Sequence, residues 1–372
     1  MIYLNTLLAE AKLKLNIPSD IKKLHKLFKK NGKQLYVVGG AVRDAILGNS
    51  PKDFDLTTDA KPDEVEKIAK NAGLKSIPVG KAFGVVNVVV GSNEYEIATF
   101  RKDIGKGRRP DAVDFTDIKG DVQRRDLTIN ALFYDIGKKQ IVDLVGGITD
   151  LKKKKIRTVG SADRRFDEDP LRRLRAVRFA GSVGGKMTKE TWGSLKRNAD
   201  ISVVSSERIR DEFIKGITKA KSVPNYFKML QTLGMFKQIF PGLKLNMKFI
   251  DVKDYIVQIA NILKNNSWEI VQKKLNSLKY TNQEVKDIIH LLKMSKYTPD
   301  DIMVLKREEQ NTKLTDKQVK MWASVSGASS KVLKIWKFKL SVSPQGAIKQ
   351  GLKGKDIGDY VKNKEKELFI SS

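Results

Sequence analysis

The sequence predicts an α+β protein: a mixed sheet with helices in the first part of the chain, and a mostly helical remainder. Three observations predict this. Between Ser19 and Arg101, stretches of helical and strand periodicity alternate, bounded by glycine or proline. From about Asp167 onward, apolar residues recur at helical spacing in "DPLRRLRAVRFAG", "SERIRDEFIKGI" and "NYFKMLQTLGMFKQIF", and strand signals become scarce. The length, 372 residues with 40% hydrophobic and 31% charged, suffices for two or more domains with cores of their own.

The elements follow in order. "IPSDIKKLHKLFKKNG" reads as a helix that Ser19 or Asp20 can cap and Gly32 can end. "QLYVVGG" is a short apolar strand running into two glycines, and "AVRDAILG" is a helix closed by Gly48. "DFDLTT" alternates as a strand does. "KPDEVEKIAKNAG" is a helix, with Pro62 at its start and Gly73 at its end. "GVVNVVVGSNEYEIATFR" is a pair of strands around a Gly-Ser-Asn turn. "RKDIGKGRRPDAVDF" has glycines and basic residues but no apolar periodicity, so it reads as a mobile loop. No internal repeat is evident.

Composition narrows the function. Lys and Arg number 72 against 43 Asp and Glu, a formal charge of +29. Such an excess attracts polyanions, nucleic acid first. A membrane surface is the competitor, but no stretch joins a long apolar run to a basic amphipathic face, and no window is long and apolar enough to span a bilayer. A generally lysine-rich composition is the bland alternative. The chain has no cysteine, which removes disulfides and thiolate metal sites and fits a cytoplasmic location. Its two histidines, His25 and His290, lie far apart, which argues against a histidine metal cluster. The first residues lack the layout of a secretory signal.

One stretch stands out against the basic background. "VVGGAVRDAILGNSPKDFDLTT" carries two aspartates one residue apart, Asp53 and Asp55. On a strand, positions i and i+2 share a face, so the two carboxylates project together and repel. A divalent cation such as Mg²⁺ relieves that repulsion and keeps coordination positions open for phosphates. Solvated acids at a sheet edge are the alternative. The preceding turn favours the metal. Gly39 and Gly40 leave room for phosphate oxygens near the backbone, the following helix start offers free N–H groups, and Arg43 adds a cationic fork. Glu96, among the alternating residues of "EYEIATF", is the third acid that a two-metal arrangement needs, or else an ordinary edge-strand acid.

At this point three blocks, "VVGGAVRDAILGNSPKDFDLTT", "QRRDLTINALFYD" and "RRFDEDPLRRLRAVRF", resemble in order the signature blocks of the class II tRNA nucleotidyltransferase/poly(A) polymerase family. The match runs from about Leu35 to Arg178 and continues more loosely through "SERIRDEFIKGI" and "LGMFKQIFPGL". The resemblance implies a polymerase-β-like nucleotidyltransferase head over 1–150, a helical neck reading the base over 151–220, and a helical body and tail binding RNA over 221–372. It implies Mg²⁺ held by Asp53, Asp55 and Glu96, with CTP and ATP as substrates. Arg125 then resembles the triphosphate contact, and Asp126 and Asn130, one helical turn apart, resemble ribose-recognising residues. A capping Asp and a turn-fixing Asn are the structural alternative.

The same resemblance gives Asp169 and Arg172 the reading of the base. Placed three apart on a helix, they share a face. A carboxylate accepts from an exocyclic amine and a guanidinium donates to ring nitrogen or carbonyl, which suits cytosine and adenine and mismatches uracil and guanine. Arg175 and Arg178 continue the basic face and could hold triphosphate or base, while Leu171, Leu174 and Val177 form the core-facing stripe. An i, i+3 salt bridge on a solvated basic helix is the alternative. Two departures from the family pattern matter: the loop 101–115 is a few residues shorter than is usual for full CCA-adding members, which raises a partial, C-adding activity, and the C-terminal third matches only loosely. The expected activity is CCA addition to tRNA. Poly(A) polymerase is the rival, and an RNA-binding protein on a dead polymerase scaffold would require a broken acid set.

Overall fold

The computed structural model describes residues 11, 12, 15–51, 53–105 and 112–372. Its strands in the first part of the chain are β1 (Ala11–Lys12), β2 (Leu35–Val38), β3 (Asp55–Thr58), β4 (Lys75–Gly80), β5 (Val85–Val90), β6 (Asn93–Thr99), β7 (Arg101–Ile104), β8 (Ala112–Phe115), β9 (Leu132–Asp135) and β10 (Gln140–Asp143). Eight of these form one mixed sheet in the order β1-β10-β9-β2-β3-β6-β5-β4. Only β3 and β6 run parallel; the other neighbours are antiparallel.

Two of these strands correct the sequence reading. Residues 101–115 do not form a structureless loop at their ends, because β7 and β8 pair antiparallel as a separate ribbon, Arg101 opposite Phe115. Backbone pairing makes this ribbon without the apolar alternation that marks a strand in sequence. The centre of the segment, 106–111, lies outside the described residues. β4 was missed as well, since its "KSIPVG" alternates poorly.

The helices of this part of the chain are α1 (Ser19–Lys30), α2 (Gly40–Ile46), α3 (Pro62–Asn71), α4 (Ile118–Gln123), α5 (Gly147–Lys152), α6 (Ala162–Glu168), α7 (Leu171–Val183) and α8 (Lys189–Arg197). α1 shows why they form. Ile21, Leu24 and Phe28 make one buried stripe, Asp20 sits in the first turn and Lys29 and Lys30 in the last, matching the helix dipole. Its N-cap is Pro18, with no side-chain cap, so neither Ser19 nor Asp20 holds that position. Gly32, Gly48 and Gly73 all take positive φ just past helices, as their placement in sequence implied.

The sheet has two distinct faces. Val37, Leu56 and Ile97 join α1 and α3 in one core, with Ile21, Leu24, Phe28, Val65 and Ile68. On the other face Val38, Phe100, Val122 and Phe133 form a second, smaller core. Phe100, Phe133 and Tyr36 pack there as an aromatic trio, with centroids 6.0–6.3 Å apart.

The chain divides into two units, Met1–Val203 and Val204–Ser372. Among the described residues the second unit has eleven α-helices, from Ser206–Lys219 to Lys355–Ser371, and no strand. Phe213, Phe227, Phe236 and Phe240 form its aromatic core, with Phe213 and Phe227 stacked at 6.0 Å. Gly216 lets Tyr226 pack against its helix beside this core: a Cβ there would lie 2.1 Å from the Tyr226 ring. Among the described residues no helix is long and apolar enough to cross a membrane.

Candidate active site

The smaller-core face of the sheet carries the acids. Along β3, Leu56 points into the large core, so Asp55 and Thr57 point the opposite way. Asp55 opens the strand and pairs with Val38, which in turn pairs with Phe133. Asp53 lies just before the strand rather than on it. In β6, Ile97 and Tyr95 belong to the large core, which leaves Glu96 on the face of Asp55. The parallel register matches Leu56 with Ile97, so Asp55 and Glu96 occupy adjoining positions on neighbouring strands. Both Asp53 and Asp55 are exposed. Even so, partial desolvation raises the Asp55 carboxyl pKa; Arg125 opposes the shift and Asp53 adds to it. Among the described residues, no three His, Cys, Asp or Glu side chains are gathered into a ready-made metal cluster.

The glycine turn stands beside these acids. Gly39 caps α2 with φ 71° and ψ −117°, a conformation open to glycine, and its N–H donates to the Leu132 carbonyl at 3.0 Å. A Cβ on Gly39 would point at the Asn130 carbonyl (3.6 Å) and the Arg125 guanidinium (3.9 Å). The turn therefore faces two of the residues singled out from the second sequence block. Gly40 begins α2, and Arg43 follows one turn later.

Arg125 is held from two sides. Its Nε and Nη2 donate to Asp121 at 3.1 and 2.8 Å, and its guanidinium lies 4.8 Å above the Phe133 ring. Asp121 is fully buried at the start of this arrangement and also accepts from Arg124 at 2.7 Å. Burial by itself would raise its pKa, yet Arg125 and Arg124 hold it below the usual carboxylate range.

Asp126, Asn130, Arg43 and Arg175 form one chain of hydrogen bonds. Arg43 Nη1 donates to Asn130 Oδ1 at 2.7 Å, and Asn130 Nδ2 donates to Asp126 Oδ1 at 3.2 Å. Arg175 Nε donates to Asp126 Oδ2 at 2.7 Å. Asp126 is buried, which opposes ionisation, but Arg175, Asn130 and the Leu127 N–H hold its pKa at about 2. Contrary to the sequence expectation, the two residues are not one helical turn apart. Asp126 is in a bend and Asn130 ends a short 3-10 turn, Thr128–Asn130. Backbone bonds to the Arg157–Val159 segment shape the stretch instead: Thr128 N–H donates to Arg157 and Val159 N–H to Asp126.

The third block also departs from its sequence reading. Asp169 is not on the helix of Arg172. It is the C-cap of α6, with φ −145°, and its Oδ1 accepts from the Leu171 N–H at 3.1 Å. Arg172 pairs with Glu168, four positions earlier, at 2.8 Å and donates to the Arg124 carbonyl at 2.8 Å. Pro170 is the reason that Asp169 is off this helix, since it starts α7 afresh and leaves Asp169 in the link. Leu171, Leu174 and Val177 are buried as expected, but so are Arg173 and Arg178, so α7 has no solvated basic side. Arg175 and Arg178 both lie near the Phe179 ring, at 5.5 and 3.8 Å from its centroid.

The site thus brings together Gly39, Arg43, Arg125, Asp126, Asn130, Arg175 and Arg178, beside a face bearing Asp55 and Glu96. Sequence reasoning passed over Asp121, Glu168 and Phe179. All three lie four positions from an arginine they meet, Asp121 from Arg125, Glu168 from Arg172 and Phe179 from Arg175, so that spacing could have found them.

The chain is similar to known proteins over most of its length. Residues 35–157 match the poly(A) polymerase head domain, and 185–247 match a probable RNA- and SrmB-binding site of polymerase A. CCA-adding enzymes of Staphylococcus aureus strains Mu3 and MRSA252 are 36% identical over 277 residues, 73% of this chain and 68% of theirs. Among solved structures, the Bacillus stearothermophilus CCA-adding enzyme in complex with CTP covers 95% of this chain and 91% of its own, at 24% identity and a TM-score of 0.71. The Thermotoga maritima CCA-adding enzyme complexed with tRNA covers 96% and 93%, at 22% identity and a TM-score of 0.68. At these identities the structural likeness speaks for the fold.

Proposed function

This chain belongs to the class II tRNA nucleotidyltransferase/poly(A) polymerase family, and from that membership we propose that it adds C and A nucleotides to the 3′ end of tRNA without a nucleic-acid template. The observation that carries the reading is the convergence of a glycine turn, four arginines and a buried carboxylate–amide pair beside two exposed aspartates. The reaction is attack of an RNA 3′-hydroxyl on the α-phosphorus of CTP or ATP, breaking the bond to the β-phosphate and releasing pyrophosphate.

The residues divide the work by their chemistry. The Gly39–Gly40 turn admits the triphosphate close to the backbone, and Arg43 and Arg125 supply charge-assisted donors to its oxygens. Asp126 and Asn130 face the ribose, with Asp126 ionised and Asn130 oriented by it and by Arg43. Asp169 and Arg172 meet the base edge; Glu168 holds the Arg172 guanidinium in one orientation. Arg175 and Arg178 flank the same space from α7.

The donor set fits Mg²⁺. Two exposed carboxylates one residue apart, mutually repelling and unable to complete a coordination shell themselves, suit a hard cation that takes its remaining ligands from phosphate and water. Asp53 and Asp55 would hold it, with Glu96 on the adjoining strand as the third acid. The chemistry a bound Mg²⁺ supplies is polarisation of the attacking hydroxyl and neutralisation of the pyrophosphate charge.

The test presents tRNA ending at the discriminator base, tRNA-C, tRNA-CC and an unrelated RNA with labelled CTP or ATP. Sequential addition of C, C and A to tRNA supports the reading. Addition of C alone points to the partial activity that the short 101–115 segment raises, and long A-tails on the unrelated RNA point to a poly(A) polymerase. Asp55→Ala should lower incorporation on the order of 10³-fold while tRNA still binds and the melting profile is kept; substantial Mg²⁺-dependent activity in that variant would remove the aspartates from the metal site.

A further inference from the structure

Three guanidinium groups from two separate elements share one aromatic ring. Arg43 of α2 lies 5.0 Å from the Phe179 centroid, and Arg175 and Arg178 of α7 lie 5.5 and 3.8 Å from it. All are within the range over which a ring face attracts a cation. Arg43 and Arg175 are 132 positions apart in the sequence but meet at this ring and in the hydrogen-bond chain through Asn130 and Asp126. Phe179 itself is buried, 4% exposed.

Gathering like charges this closely requires compensation. A carboxylate supplies it by ion pairing, but each pairing occupies N–H donors and cancels charge that an anionic ligand needs. A ring face attracts the cation through its quadrupole, takes no N–H donor and leaves the net charge in place. Arg43 and Arg175 combine both modes, with Asp44 and Asp126 as their carboxylate partners at 2.7 Å. All three guanidinium groups share the ring.

We propose that Phe179 is a positioning residue for the nucleotide: its ring sets Arg43, Arg175 and Arg178 into a fixed cationic array that receives the triphosphate-bearing substrate. The inference rests on the nucleotide-binding reading above and adds a residue that touches no substrate. Phe179 acts through electrostatics as well as shape, and it ties α2, which follows the glycine turn, to α7, which carries the base-facing arginines. Because the array serves any nucleoside triphosphate, its loss weakens CTP and ATP alike and leaves the choice between bases unchanged.

The experiment replaces Phe179 in the full chain with mono-, di- and trifluorophenylalanine, which weaken the ring quadrupole stepwise at nearly constant shape. CTP and ATP dissociation constants are measured by calorimetry, melting temperatures are recorded, and KM and kcat are determined with tRNA-C and tRNA-CC. The expected result is a graded loss of affinity for both nucleotides, reaching about tenfold with three fluorines, equivalent to ~1.4 kcal/mol. KM should rise in parallel while kcat at saturation and the melting temperature hold. Phe179→Leu should match the trifluoro protein in affinity or fall below it. Affinities that ignore fluorination, or that fall only as far as melting temperature falls, would reduce Phe179 to core packing and overturn the proposal. An unsubstituted protein that binds neither CTP nor ATP would instead overturn the nucleotide reading, and this proposal with it.

Discussion

Asp169 combines a structural bond with the proposed base reading on one carboxylate. Oδ1 accepts the Leu171 N–H and so shapes the entry into α7, while the proposed base reading needs an acceptor aimed at an exocyclic amine. Asp169→Asn separates the two. The amide oxygen keeps the bond to Leu171, but the side chain is no longer acceptor-only, so discrimination between CTP and UTP should fall about tenfold, within the usual range for one unpaired polar group. The measurement is the ratio of kcat/KM values for the two nucleotides on one tRNA. An unchanged ratio with an unchanged fold would return Asp169 to a structural cap. His290, remote from the site, offers a different residue-scale test. Burial, with Lys306 and Lys293, lowers its pKa to about 4, and among the described residues neither ring nitrogen has a hydrogen-bond partner. Unfolding restores the ordinary value, about 6.5. As pH falls below that value the unfolded chain takes a proton that the folded chain refuses. Stability therefore drops between about 6.5 and 4, by on the order of 3 kcal/mol, and levels off below. Glu309, whose pKa is raised by burial, contributes with the opposite sign. His290→Gln should remove the histidine's share, so that urea midpoints of the two proteins converge or cross as pH goes from 7 to 4.5. A constant offset would mean the imidazole does not titrate there.

At the scale of elements, the unit β2–glycine turn–α2 does most to build the site. β2 delivers the chain to the face of Phe133, Gly39 turns it, and α2 brings Arg43 round to Asn130. The turn depends on backbone freedom more than on space: a Cβ at Gly39 would meet nothing nearer than 3.6 Å, but φ 71° with ψ −117° is strained for any other residue. Gly39→Ala should therefore cost roughly 1–3 kcal/mol, read in thermal or urea unfolding. If the chain relaxes the turn to escape the strain, KM for both nucleotides should rise as well. Full stability together with an unchanged KM would show that the turn tolerates a side chain and that glycine is not required there. The β7–β8 ribbon, like β4, is an element that periodicity alone could not find. Its Arg101 and Asp103 pair with each other at 3.1 Å and Asp103 reaches Arg124 at 3.7 Å. Arg124 in turn offers its carbonyl to Arg172, so the ribbon and the arginine proposed to face the base share a neighbour.

At the scale of the molecule, charge decides the partner. A formal charge of +29 on a chain whose proposed metal-binding face is acidic means the positive excess is elsewhere. RNA held through its phosphates releases counterions, so tRNA affinity should fall steeply with salt, on the order of 10³-fold between 50 and 200 mM for roughly six phosphate contacts. A filter-binding or anisotropy titration at several salt concentrations measures the slope. The proposed substrate is also read by shape, since A-form helices are recognised by backbone geometry more than by base edges. A minihelix of acceptor and T arms should be extended nearly as well as whole tRNA, and an unstructured oligonucleotide poorly. Salt-insensitive binding, or preference for the unstructured strand, would contradict this account of the partner.

The sequence by itself determined the elements and the order of the chemistry along the chain. Helix stripes, terminal glycines and strand alternation depend on residues a few positions apart, so α1, α2, α3, β2, β3, β5 and β6 were legible, as was the helical second part; β4 and the β7–β8 ribbon were not, and Asp53 fell just before its strand. The three family blocks were legible for the same reason, being contiguous. Tertiary structure alone decided which charged group meets which. Arg43 found Asn130 across 87 positions and Arg175 found Asp126 across 49, and Arg43 came from α2 to the Phe179 ring that Arg175 and Arg178 of α7 also meet. Partner choice among ions is settled by how distant segments pack and how much water they exclude, and neither quantity is written in local spacing.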